Sequence, residues 1–232
     1  MPDRIPDSCI HPKSWYNEGT LTINGGTIYS EIETVGLLGI ENYGPLSIGE
    51  DVTIKLVSSL SVVGIQHESD EGLYVAGKIE IDVTDSDSNY SNVYGILLMG
   101  GSATFAGEID ITTATNTETI GIYNDGAEEL VVGGSIKVIA TADAYAIKNL
   151  SSKLTFNGVI EVATTGDSRS AIGIEHFVTA ELIVGGIIDV TVNGMGVTAY
   201  GINVSSAYDV ELDCVNMTII TPNYDGAIGV NG

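Results

Sequence analysis

The fold is decided by the stretch Leu73-Tyr-Val75-Ala-Gly77-Lys-Ile79-Glu-Ile81, because close copies of it begin again at residues 103, 130, 154 and 182. On both sides of Gly77, apolar residues alternate with polar or small ones. This period of two is typical of a strand with one buried face. Glycine lacks a Cβ atom, so it allows a bend between two short strands.

A second phrase, a small residue followed by isoleucine, returns every 25 to 31 residues. It occurs at Gly39-Ile40, Gly64-Ile65, Gly95-Ile96, Gly121-Ile122, Ala146-Ile147, Gly173-Ile174, Gly201-Ile202 and Ala227-Ile228. Self-similarity at a nearly fixed period indicates one supersecondary unit stacked on copies of itself. Three short strands, two bends and one polar loop make one coil. The sequence therefore predicts an all-β, single-domain parallel β-helix, or β-solenoid, of about eight coils with about 26 residues each. It would occupy residues 15–232, after an N-terminal extension or strap at 1–14.

Stacking places equivalent positions above one another, so columns of side chains can be read from the sequence. We expect an inward column of Ile79, Ile109, Ile136, Ile160 and Ile188. The neighbouring outward column reads Glu80, Asp110, Lys137, Glu161 and Asp189, which predicts a solvated face where lysine relieves carboxylate repulsion. Polar segments of variable length at 84–92, 112–119, 139–144, 163–170 and 191–198 predict loops along one edge of the rod.

The chain is both apolar and strongly acidic. Hydrophobic residues make up 44% of it, and its formal net charge is −23. Such a charge disfavours nucleic acids and anionic membrane surfaces, because the chain and the phosphates repel each other. The absence of any run of about 18 apolar residues predicts no membrane insertion. The negative charge instead favours solubility, cation binding or a basic partner.

The segment Tyr16-Asn17-Glu-Gly19-Thr-Leu21-Thr-Ile23 recurs as Tyr123-Asn124-Asp-Gly126 followed by Leu130-Val-Val132. This repeat resembles the right-handed parallel β-helix repeats of bacterial surface and secreted proteins, including autotransporter passenger-like adhesins. The resemblance extends from about residue 15 to the end of the sequence. It implies an extracellular or cell-surface location, with a host-surface or glycan ligand or self-association as the partner.

A carbohydrate-active enzyme, either a polysaccharide lyase or a hydrolase, is the alternative on the same scaffold. Arginine occurs only at Arg4 and Arg169, which gives little material for a basic cleft. Carboxylate pairs suited to a hydrolase include Asp82, Asp85 and Asp87, but an acidic chain contains such pairs by chance. We therefore expect a structural protein without catalytic residues.

The remaining chemistry-bearing residues give weak signals. His11, His67 and His176 are interpreted as separate loop or surface residues, and the tyrosines as scattered through loops. No cofactor is indicated. Calcium binding stays open, because the stretch 82–89 offers alternating oxygen donors but lacks the glycine and the final glutamate of an EF-hand loop.

Head-to-tail association is predicted from the two ends of the repeat. Neither end shows an amphipathic helix or a polar coil that would cover the open strand edges. The last coil contains the first half of the repeat, and the first coil contains the second half. The start of one chain could therefore complete the coil at the end of another. Two cysteines near opposite ends could meet across such a junction. The candidate inter-subunit contacts are Cys9, Trp15, Tyr16, Cys214, Ile228 and Val230.

Overall fold

A computed structural model describes residues 15–32, 36–58, 61–83, 92–114, 117–167, 169–194, 198–205, 209–213, 215–222 and 226–232. Every regular element in these ranges is a strand. In chain order the strands are β1 (Trp15–Asn17), β2 (Leu21–Ile32), β3 (Leu37–Asn42), β4 (Leu46–Ser58), β5 (Val62–His67), β6 (Leu73–Val75), β7 (Lys78–Val83), β8 (Val93–Leu98), β9 (Ser102–Phe105), β10 (Glu108–Thr113), β11 (Thr119–Asn124), β12 (Glu129–Val132), β13 (Ser135–Ala140), β14 (Ala144–Asn149), β15 (Lys153–Phe156), β16 (Val159–Thr164), β17 (Ala171–His176), β18 (Leu182–Val184), β19 (Ile187–Val192), β20 (Ala199–Val204), β21 (Val210–Leu212), β22 (Asn216–Ile220) and β23 (Ala227–Asn231).

The strands form a parallel β-solenoid, which confirms the predicted fold class. Sheet A has nine strands, in the order β1-β3-β5-β8-β11-β14-β17-β20-β23. Sheet B has 14 strands and consists of two columns, one from β6 to β21 and one from β7 to β22, which meet at the long strand β4. From β6 onward, each turn contributes one strand to sheet A and two short strands to sheet B, whereas the first turns contribute the single long strands β2 and β4 to sheet B.

The solenoid has about seven turns of about 27 residues, slightly fewer and longer than the predicted coils. The number of turns is smaller than predicted because of the two terminal strands of sheet A. Strands β1 and β23 are largely exposed and enclose no core. The turns between them bury an unbroken apolar interior from Leu37 to Val204.

The predicted inward column is the centre of that interior. Ile79, Ile109, Ile136, Ile160 and Ile188 are at most 1% exposed and pair in register. β-branched side chains are stiff, so side chains of the same shape pack on one another along the column. The prediction of which strand face is buried is therefore confirmed.

The bend in each turn depends on stacked glycines. A Cβ atom at Gly107 would lie 2.0 Å from the carbonyl oxygen of Gly77, and one at Gly158 would lie 2.1 Å from that of Gly134. Real Cβ atoms do not approach backbone oxygens so closely. Glycine is thus required here because consecutive turns are in backbone contact at the bend.

The strand before each variable loop belongs to the second column of sheet B and the strand after it to sheet A, so the described ends of the loops lie at one edge, as predicted. Residues 84–91, 115–116, 168 and 195–197 of these loops lie outside the described ranges. Within those ranges, the chain has no helix with the length and apolar character needed to cross a membrane.

Candidate functional site

The predicted contact residues near the N-terminus lie on the first strand of sheet A. Trp15 and Tyr16 are 44% and 58% exposed. Among the described strands, β1 pairs only with β3, and Trp15 is in register with the core residue Ile40. The Tyr16 ring lies 5.3 Å from the ring of Tyr43, measured between centroids. Trp15 thus occupies the outermost place in a core column.

The predicted residues near the C-terminus lie on the last strand of the same sheet. Val230 on β23 is 46% exposed and pairs with the buried Ile202. Ile228 pairs with Tyr200, so it belongs to the outward face of the sheet rather than to the core column. Val230 and Trp15 are therefore the two terminal members of one column, whereas Ile228 lies beside it.

The predicted contact between the two cysteines of neighbouring chains involves residues that the structure does not describe. Cys9 and Cys214 both lie outside the described residues. A disulfide across a junction between chains therefore stays a sequence-based prediction.

A buried polar ladder, which the sequence analysis missed, lies at the inner corner where sheet A ends. Asn124 Nδ2 donates to Asn149 Oδ1 at 2.7 Å, and Asn149 Nδ2 is 2.9 Å from Nδ1 of His176. In turns nearer the N-terminus, Asn17 Nδ2 donates to Asn42 Oδ1 at 2.6 Å, and Asn42 Nδ2 is 2.7 Å from Nδ1 of His67. Two ladders of the same design thus end in histidine.

The interpretation of the histidines as unrelated loop or surface residues was wrong for His67 and His176. Both are fully buried, and both lie two residues after the isoleucine of a repeat. Nδ1 accepts the asparagine amide, so the ring proton is on Nε2, which donates to the carbonyl of Glu71 in one case and of Ala180 in the other. Burial lowers the pKa of each imidazole. Both histidines are therefore neutral structural groups. His11 lies outside the described ranges.

The tyrosines of the Gly-Ile strands are ordered rather than scattered through loops, which corrects a second interpretation. Tyr94, Tyr145 and Tyr200 occur at alternate turns on the outward face of sheet A, with Ile120 and Ile172 between them in register. Ile120 and Ile172 are buried although they face outward. The sheet therefore has a small second apolar cluster on its outside.

A group of charged side chains borders this outer cluster. Lys148 Nζ lies 3.2 Å from a carboxylate oxygen of Glu118, 3.7 Å from one of Glu175 and 4.7 Å from the ring centre of Tyr145. Burial raises the pKa of Glu175, and the nearby Lys148 acts in the opposite direction. The ammonium group thus holds two carboxylates together on the surface of the sheet, which is a stabilising arrangement for an acidic chain.

The predicted acidic column on sheet B is solvated and partly neutralised. Lys137 Nζ is 3.2 Å from Glu161, and Lys55 forms an ion pair with Glu80. Lys78 Nζ lies 3.0 Å from Glu108 of the next turn. The lysines therefore relieve repulsion between stacked carboxylates, as expected from the sequence.

Metal binding has no support from grouped ligands. In the parts of the chain that the structure describes, no three His, Cys, Asp or Glu side chains are placed to hold a metal ion. The acidic stretch 82–89 leaves the described ranges after residue 83, so calcium binding there stays a hypothesis.

The fold defines the protein as a parallel β-solenoid. Comparison of the chain with protein-family models, with curated proteins and with solved structures gives no match. The assignment to the β-solenoid class therefore rests on the geometry of the turns themselves.

Proposed function

We propose that this chain is a structural β-solenoid protein of the cell surface or the extracellular space, either a subunit of a head-to-tail filament or a segment of a surface adhesin. One observation carries the proposal: in the part of the chain that the structure describes, the apolar interior is only partly covered at its first and last turns. Core side chains there are only partly buried. They are Leu21, Ile23 and Ile28 at one end and Val215, Met217 and Ile219 at the other.

The register of sheet A at its two terminal strands is compatible with such a contact. A further parallel strand beside β23 would place its side chains above Val230, and Trp15 is the residue that starts this column at the opposite end. Strand edges with free N–H and C=O groups pair readily with another strand. Contact between unlike ends of two copies propagates rather than closes, so it builds a filament. A second copy of this chain is thus the partner that we propose.

The charge and the resemblance support different parts of the proposal. A net charge of −23 disfavours side-by-side aggregation of rods. The resemblance of the repeat to bacterial surface and secreted proteins supports a role outside the cell. In the adhesin form of the proposal, the outer faces of the sheets would bind a host surface or a glycan.

The test is the length of the particle. Nine stacked strands in sheet A give roughly 40 Å at about 4.8 Å per strand. We expect purified protein to form rods in electron micrographs whose lengths are multiples of this value and grow with concentration. Val230→Asp should prevent growth, because it places a charge in the apolar junction.

The matched control is Val159→Asp. Val159 is 44% exposed, nearly as much as Val230 at 46%, but it lies on the outward face in the middle of the solenoid. This variant should assemble like the parent. A parent protein that stays monomeric at millimolar concentration, or equal behaviour of the two variants, would show the filament form of the proposal to be wrong and leave the adhesin form.

The carbohydrate-active enzyme is the alternative, and the pair Glu118 and Glu175 is the observation that favours it. Each carboxylate lies within 4 Å of Lys148 Nζ, and Glu175 is buried with a raised pKa. A raised pKa suits a general acid. Release of reducing ends from polysaccharides, abolished in Glu175→Gln, would favour the enzyme over the structural role.

A further inference from the structure

A shallow groove runs along the outside of sheet B at the turns nearest the N-terminus. Its volume is about 420 Å³, which is within the range of small-ligand sites. One wall is the outward row of the first strands of sheet B, and the other is formed by turn residues that precede these strands. The lining residues are Thr20, Leu21, Thr22, Pro45, Leu46, Ser47, Gly72, Leu73, Tyr74, Ser102 and Thr104.

The most prominent side chain in the groove is Tyr74. It is 43% exposed and is in register with Ser47 on one side and Thr104 on the other. Both neighbours are short, so the Tyr74 ring projects beyond them. Beside it, Gly72 leaves open space, because a Cβ atom there would meet only the carbonyl oxygen of Ser102 at 3.7 Å.

The chemistry of the lining is unusual for this chain. None of the lining residues is charged, although the protein has a net charge of −23. The row of strand-start positions that includes Ser102 becomes charged immediately beyond the groove: Glu129 of β12 is in register with Ser102, and Lys153 of β15 is in register with Glu129. Lys153 in turn forms an ion pair with Glu181 at 2.7 Å. The row through Ser102 is therefore uncharged only at the groove, whereas the outward row through Thr104 continues uncharged with Val131 and Thr155.

Such a lining fits a ligand with many hydroxyl groups, an apolar face and no charge. Hydroxyl side chains act as both donors and acceptors, so they can match sugar hydroxyls in several orientations. An exposed tyrosine ring offers a flat apolar surface and a polar tip. We propose that this groove binds a neutral oligosaccharide, with one sugar ring stacked on Tyr74 and its hydroxyls bound by Ser47, Thr104 and Ser102.

The proposal is tested on the full-length protein by isothermal titration with neutral hexasaccharides of glucose, galactose and mannose. A hexasaccharide of galacturonic acid is the charged counterpart. At least one neutral hexasaccharide should bind with a submillimolar Kd, and the charged one should bind at least tenfold more weakly. Tyr74→Ala should weaken binding by about tenfold, which corresponds to a loss of about 1.4 kcal/mol with the stacked ring. Tyr74→Phe keeps the ring and should stay within about threefold of the parent.

Two further variants make the test specific. Thr104→Asp, on the exposed wall of the groove, should abolish binding without disturbing the core. Tyr29→Ala removes a tyrosine that is 55% exposed on the same sheet but is not part of the lining, and it should leave binding unchanged. The inference is overturned if no neutral hexasaccharide binds at millimolar concentration, if the charged one binds as well as the neutral ones, or if Tyr74→Ala and Tyr29→Ala behave alike. It does not depend on whether the solenoid assembles end to end.

Discussion

Replacement of Asn149 by alanine tests whether the polar ladder at the corner of the solenoid stabilises the fold. The Asn149 side chain is fully buried at the end of β14. Its Nδ2 group donates to the carbonyl oxygen of Ser152 at 2.6 Å and approaches Nδ1 of His176 at 2.9 Å. Its Oδ1 atom accepts from Asn124 at 2.7 Å. Alanine would remove all of these hydrogen bonds at once.

The expected loss in the free energy of unfolding is about 3 to 5 kcal/mol. Each hydrogen bond contributes about 1 kcal/mol net, which gives about 3 kcal/mol for the three bonds. The additional part arises because the Ser152 carbonyl and His176 Nδ1 would stay buried without their donor. Asn124 would keep part of its hydrogen bonding, because its Nδ2 group also donates to the Ser152 hydroxyl at 2.8 Å.

The measurement is equilibrium unfolding in guanidinium chloride, followed by circular dichroism in the far ultraviolet. Hydrogen exchange of the amides in neighbouring turns shows whether the loss is local, since turns of a solenoid interact mainly with their nearest neighbours. Asn157→Ala is the control, because Asn157 is an exposed asparagine at the bend of the same turn. The free energy of unfolding of this control variant should lie within about 0.5 kcal/mol of that of the parent.

A second variant separates hydrogen bonding from packing. Leu98 occupies the same ladder position in another turn, in register with His67 and Asn124, so the corner accommodates a leucine there. Asn149→Leu should therefore restore packing but still lose about 2 kcal/mol or more from unpaired polar groups. If Asn149→Ala and Asn157→Ala unfold at the same denaturant concentration, the view that the ladder stabilises the solenoid is refuted.

Two more predictions concern the core column and the histidines. Ile136→Asp should destabilise the protein by several kcal/mol, because it buries an unpaired charge, whereas Lys137→Asp on the outward face should cost much less; equal urea midpoints would mean that the strand faces are assigned the wrong way round. Burial lowers the folded-state pKa of His176 below the ordinary value of 6.5, so the unfolded chain binds more protons between these two values. The contribution of His176 to the free energy of unfolding should therefore be fully present above about pH 6.5. It should decrease as the pH falls toward the folded-state pKa. His176→Gln should reduce this decline, and unfolding curves measured from pH 7.5 to 5 that have the same pH dependence in parent and variant would contradict it.

Regular alternation explains why the core could be predicted so well. In a strand, the side-chain period of two assigns each residue to one face, and stacking in register repeats the assignment in every turn. Ile109 and Asp110 are adjacent in sequence, yet the pattern alone places one inside and the other outside, as the structure confirms.

The histidines and tyrosines were misinterpreted because their columns are chemically mixed. The ladder position contains Asn42, His67 and Leu98 in successive turns, so no single residue type marks it. The signal was present in the spacing, since each of these residues lies two places after an isoleucine of the repeat. Tyr94 and Tyr200 likewise precede a Gly-Ile pair by one place. Counting from the pair would have aligned both columns.

The sequence by itself determined the local rule of this protein: strands with one apolar face, glycine at the bends and a repeat that must stack on itself. These features depend only on residues close together in the chain. The tertiary structure decided what the stacking brings together, namely His176 under Asn149, Glu118 and Glu175 on either side of Lys148, and the uncharged groove beside Tyr74. Such contacts join residues about 27 positions apart or more. Their geometry depends on the exact length and path of every loop between them, which no local pattern specifies.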